Sequence, residues 1–125
     1  MNKSSADLHA RVFQFSLRII KLKRRLVELK EFDLGSQLFR SATSIGANYE
    51  EASSAISKAD FISKVSISAK EASETLYWLR LIKESDEFQL NVDDLVDEAS
   101  QLRKIFRSIV QTAQVNQKKQ LAESK

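Results

Sequence analysis

The chain has no cysteine, no proline, a single histidine, and glycine only at Gly35 and Gly46. Without cysteine there is no disulfide framework, no thiolate zinc site and no cysteine nucleophile. With His9 alone, no site can be assembled from several imidazoles. All-β and doubly wound α/β folds draw heavily on turn residues, so the shortage of glycine and proline excludes them. No apolar run approaches the roughly 20 residues that cross a bilayer. Nor does an apolar stretch follow the early charges as a secretory signal would, and the expected location is the cytoplasm. What remains is 125 residues, 42% hydrophobic and 30% charged, too apolar for a disordered chain and long enough for one modest core. The expectation is a single all-α domain spanning residues 1–125.

Periodicity divides the chain into four helical segments. The first covers about 5–30, with Ser5 as cap and Leu8, Val12, Phe15, Ile19, Leu22, Leu26 and Leu29 at alternating steps of four and three. Such spacing places them on one face, as in a knobs-into-holes seam. Phe32-Asp33-Leu34-Gly35 breaks the pattern, and Gly35 is expected to take the left-handed position of the turn. The second segment, about 36–55, carries Leu38, Ala42, Ile45, Tyr49, Ala52 and Ile56. The third, about 58–84, opens on Ser57 with Asp60 three residues later, a variant capping box. Its seam reads Phe61, Val65, Ser68, Ala72, Thr75, Leu79 and Ile82. The fourth, about 92–115, follows Asn91 as cap, with Asp93 and Asp94 in the first turn, and runs from Val92 through Leu95, Ala99, Leu102, Phe106 and Ile109 to Ala113. A polar tail, 116–125, is expected to fray. Four such helices with short connections pack as an antiparallel up-down-up-down four-helix bundle.

The first helix has more apolar surface than one core needs. Phe13, Leu17, Ile20 and Val27 lie about 120° around the helix from the seam. Either the core wraps farther round this helix or the stripe meets another subunit, and the stickiness of so many large apolar groups favours the subunit contact.

Charge is unevenly placed behind a net +3. Residues 1–32 and 99–125 each carry a net +5, whereas 85–98 hold six acids and no base. First and last helices are neighbours in an up-down bundle, so Arg11, Arg18, Lys21, Arg25, Arg103, Lys104 and Arg107 are candidates for one positive wall that takes phosphates. A mixed charged face that only keeps the bundle soluble is the plainer alternative.

The second helix bears a polar stripe one residue off its seam: Gln37, Ser41, Ser44, Asn48 and Glu51. Polar groups so close to a core must find partners, and a network that fixes register or subunit orientation is the natural role. Gly46, costly inside a helix, points to a close helix contact. The run Gln37-Leu38-Phe39-Arg40-Ser41-Ala42-Thr43-Ser44-Ile45-Gly46-Ala47-Asn48-Tyr49-Glu50-Glu51-Ala52 resembles the signature of the four-helix bundle family linked to intervening sequences of bacterial 23S rRNA genes, also called the S23 ribosomal protein family. Gln37, Leu38, Arg40, Ser41, Ser44, Ile45, Asn48 and Glu51 sit on its pattern positions, and Phe61, Ala69, Glu74 and Leu79 follow in similar order. The pattern has glycine where this chain has Ala52, which favours a helix running on through Ser53. The resemblance implies a small bacterial bundle that forms a ring-like homo-oligomer, a pentamer, and a related branch binds nucleic acid together with a reverse transcriptase. It implies no enzymatic activity.

Enzyme chemistry finds little support in the residues. The Glu-x-x-His pairs of carboxylate-bridged metal bundles are missing, and no Gly-rich phosphate loop is present. Glu51, Glu71 and Glu74 are expected to form salt bridges to Arg40, Lys70 or Arg80 rather than a metal site. His9 is expected to be exposed or partly packed, and Tyr77 and Trp78 to serve as packing or interface anchors, with base stacking left open. No cofactor or metal is expected. The reading is a non-enzymatic homo-oligomeric adaptor for RNA or DNA; the alternative is an oligomeric scaffold for a partner protein.

Overall fold

The computed structural model describes residues 3–85 and 87–124. Four helices follow one another: α1 (Lys3–Glu28), α2 (Phe32–Ser53), α3 (Lys58–Glu84) and α4 (Asp93–Glu123). Residue pairs between consecutive helices fall in number on one as they rise on the other. His9 meets Glu50 while Lys23 meets Phe39; Glu51 meets Lys64 while Ser41 meets Thr75; Ser73 meets Arg107 while Lys83 meets Asp93. Each helix is therefore antiparallel to the next. α2 and α3 pack extensively on their sequence neighbours, whereas α1 and α4 barely touch.

The seams form the core. Phe15, Ile19, Leu26, Leu38, Ile45, Leu79, Leu102 and Phe106 are essentially inaccessible, and the edge of Phe106 meets Tyr49 at 5.2 Å between ring centres. Burial of each such side chain contributes about 1.5–3 kcal/mol. The seams fail at their ends: Leu29 and Ile56 are exposed, because each lies beyond the last turn of its helix.

The turns differ from expectation in an instructive way. The left-handed residue between α1 and α2 is Lys30, with φ 62°, and not Gly35. Its amide donates to Val27 and that of Glu31 to Leu26, which is a Schellman closure with lysine where glycine is usual. Gly35 instead lies inside α2 and buried, where a Cβ would stand 3.6 Å from Leu26 Cβ. Ser5 is likewise inside α1, in contact with the Tyr49 hydroxyl at 3.2 Å, so it is not a cap. Ser57 does cap α3, accepting from the Asp60 amide at 3.0 Å, whereas the cap position of α4 is held by Val92 and not by Asn91, whose side chain lies one residue earlier and accepts from the Asp93 amide. α2 runs through Ser53, as Ala52 suggests. α4 continues past Val115 to Glu123, so the expected polar tail is helical over this stretch. Its glutamines, lysines, leucine and alanine are good helix formers, and nothing there stops the helix.

Candidate functional site

The polar stripe of α2 faces α3. Ser41 and Thr75, both fully buried, meet hydroxyl to hydroxyl at 2.9 Å, and Ser68 donates to the Ile45 carbonyl at 2.9 Å. On the outer side Arg40 pairs with Glu71 at 3.2 Å and with Glu74, whose carboxylate also accepts from Trp78 Nε1. Glu51 pairs with Lys64 at 3.1 Å. Asn48 turns back to Ser44 of its own helix, while Gln37 is exposed. Ser41 and Glu51 of the stripe, with Arg40 beside it, are thus struts between α2 and α3, whereas Gln37, Ser44 and Asn48 make no hydrogen bond or ion pair to a described residue of α3. On α3, Ser68 and Thr75 were visible in the sequence as polar residues standing in an apolar seam. The glutamates are taken up by these cations, and among the described residues no group of acids and histidine is placed to hold a metal.

His9 is more constrained than its sequence context suggests. Its ring stacks on Tyr49 with centres 4.0 Å apart, while Nδ1 lies 2.9 Å from Glu50 and Nε2 2.8 Å from Ser53. The Ser53 hydroxyl also lies 3.3 Å from the Tyr49 carbonyl, to which it donates. Only the register of α1 against α2 brings these residues together, so no local pattern announces them.

The second apolar face of α1 stands in solvent. Phe13 is 63% exposed, Val27 42% and Leu17 39%; Ile20 is half-buried. The stripe borders α2. Phe13 shares a hollow of about 240 Å³ with Thr43, Gly46 and Ala47, and Ile20 and Val27 share another with Phe39, over whose ring Lys23 Nζ sits at 4.3 Å. The core of the subunit does not wrap round to cover this face.

The candidate phosphate-binding cations fall into different settings. Arg11 is clamped by Glu98, with Nε 2.8 Å from one carboxylate oxygen, and by Gln101. The hydrogen bond to Glu98 raises the Arg11 pKa above its ordinary value. This clamp spans a cleft between α1 and α4 of about 540 Å³, lined by Leu8, Tyr49, Ile105 and Ile109. Arg25 pairs with Glu28 in its own helix. Arg18 and Lys21 are exposed and make no ion pair with a described residue. On α4, Arg107 reaches to Ser73 of α3, and Arg103, one turn earlier, shares that flank. Lys104 is exposed beside them. Arg107 therefore reaches toward α3, whereas Arg11 reaches across to α4. These cations do not form one wall between α1 and α4, because Arg11 is taken up by Glu98, Arg25 by Glu28, and Arg107 faces α3.

Fold and surfaces together define an all-α four-helix bundle whose chemistry lies on its faces. Residues 5–109 match the family described as 23S rRNA-intervening sequence protein. The chain belongs to that family. A solved structure of a protein of unknown function from the S23 ribosomal protein family of Bacteroides thetaiotaomicron is similar, with 37% identity and a TM-score of 0.79 over 86% of this chain and 97% of that one. No curated protein matches significantly. Neither similarity indicates an enzymatic family.

Proposed function

We propose that the protein is a non-enzymatic homo-oligomeric adaptor that binds RNA or DNA. The observation that carries the reading is a group of cations that make no ion pair with a described residue, among them Arg18 and Lys21 on α1 and Arg103, Lys104 and Arg107 on α4. In the same molecule Arg11, Arg25, Arg40, Lys64 and Lys83 each have a carboxylate partner. Unneutralised cations on a small bundle make a field that attracts a polyanion. Oligomer formation multiplies that field, and the exposed Phe13, Leu17 and Val27 are the contact it would use, with Ile20 at the edge. The family resemblance supports a pentamer. Among the described residues no helix is long and apolar enough to cross a membrane.

The 63% exposure of Phe13 favours a second reading, a scaffold whose α1 stripe takes a partner protein. Binding of labelled rRNA fragments at roughly 50 and 200 mM salt separates the two. The adaptor binds at low salt and loses affinity steeply as salt rises. Absence of binding at low salt overturns the nucleic-acid reading and leaves the scaffold.

A further inference from the structure

Cations without counterions are not confined to α1 and α4. On α3, Lys70 and Arg80 are exposed, and neither makes an ion pair with a described residue. Their position follows from two contacts between α3 and α4. Arg107 lies 3.5 Å from the Ser73 hydroxyl, and Lys83 pairs with Asp93 at 3.3 Å. Because the helices are antiparallel, one turn beyond Ser73 on α3 is level with one turn before Arg107 on α4. Tyr77 therefore stands opposite Arg103. Arg80 follows, level with Ser100, and Lys70 precedes, level with Val110. From Lys70 to Arg80 the groove is about 15 Å long.

This groove differs from the other flanks in three respects. Its cations, Lys70, Arg80, Arg103 and Arg107, come from both walls, and the acid that could neutralise the upper part, Glu74, is already held by Arg40 and Trp78. Arg103 is pinned by its stem: its Nε is buried with no hydrogen-bond partner, so its terminal nitrogens are the donors left for a ligand. Finally, an aromatic ring stands among them. Tyr77 is 56% exposed and is braced edge-on by Trp78, with ring centres 5.3 Å apart. Cations on both sides of an exposed, braced ring are what a phosphate backbone with unstacked bases requires, and a duplex, whose bases are already stacked, has no use for the ring. Glu84 and the Lys83–Asp93 pair mark the acidic lower end, where the track stops.

Resting on the nucleic-acid reading above, we propose that the outer groove between α3 and α4 is a track for single-stranded nucleic acid: Tyr77 stacks on a base, and Lys70, Arg80, Arg103 and Arg107 hold the phosphates. The test is fluorescence anisotropy of the full chain with a labelled uridine oligonucleotide of about 20 residues, and with a duplex of the same length. Tyr77→Leu, which keeps apolar area without an aromatic face, weakens single-strand binding about fivefold to a hundredfold. The duplex loses much less. Lys70→Gln combined with Arg80→Gln lowers the slope of log affinity against log salt by about 1.4. Arg18→Gln with Lys21→Gln, the α1 variant, weakens binding of single strand and duplex alike, whereas the groove variants act mainly on the single strand. If wild-type protein binds but the groove variants match it while the α1 variant loses binding, the groove is overturned and the nucleic-acid reading stands. If Tyr77→Leu lowers the oligomer mass, the groove is a subunit contact and the proposal also fails. If wild-type protein binds neither probe, both readings fall together.

Discussion

Alanine at the two glycines should have opposite effects, and the structure sets both signs. Gly35 lies inside α2 with negative φ, its amide donating to the Glu31 carbonyl at 3.0 Å. A methyl there meets Leu26 Cβ at 3.6 Å and Lys23 Cγ at 3.7 Å, which is ordinary van der Waals contact. Gly35→Ala thus gains helix propensity of about 0.5–1 kcal/mol with no strain. In a chain of this size that raises the melting temperature by about 2–6 °C. Gly46 is tighter: its methyl would stand 3.1 Å from Val12 Cγ1. Val12 is 1% exposed and β-branched, with one favoured χ1 in a helix, so it cannot swing aside. The same propensity gain is then offset by overpacking of about 1–3 kcal/mol, and Gly46→Ala should be neutral or lose up to about 2 kcal/mol. Thermal unfolding followed by circular dichroism, at one protomer concentration for all variants, reads both shifts. A lowered melting temperature for Gly35→Ala would mean that this residue does need the left-handed conformation. An equal rise for both variants would mean that α1 and α2 are not in close contact at Gly46.

Lys30→Gly should stabilise by about 0.5–1 kcal/mol, because it relieves the one lysine held at positive φ in the α1–α2 turn; denaturant midpoints check it. Thr75→Val removes the hydroxyl that meets Ser41 across the α2–α3 contact and leaves Ser41 its bond to the Leu38 carbonyl, so it should cost about 0.5–1.5 kcal/mol in urea unfolding, whereas a loss near zero would show that the pair adds nothing. Phe13→Ser with Leu17→Lys should reduce the mass measured by light scattering while leaving helix content unchanged. An unaltered mass would place the subunit contact on another face.

Most of the architecture was legible because each helix keeps its large apolar residues at a four-three step, from Leu8 to Leu26 and from Leu95 to Phe106. The ends were less so. Leu29 and Ile56 continue the step in sequence after the helix has stopped, since periodicity carries no information on where backbone hydrogen bonding ends. Conversely α4 outlasts its seam, because helix-forming residues alone extend it to Glu123. Gly35 attracted the turn on conformational grounds, yet Lys30 closes α1 and the glycine answers to the nearness of Leu26 and Lys23. The struts between α2 and α3 were half visible, as polar residues beside or within seams. The cation faces were the hardest to read. Whether Arg11 meets phosphate or Glu98, and whether Arg107 looks toward α1 or α3, depends on helix rotation and register, and segment charge records neither.

Light scattering on a size-exclusion column, with the protein alone and then with rRNA fragments at low and moderate salt, tests the central claim most directly. The account predicts a mass of several protomers, five by the family resemblance, that grows with RNA and loses the increment steeply as salt rises. A monomer, whose mass RNA leaves unchanged at low salt, would contradict both the assembly and the adaptor.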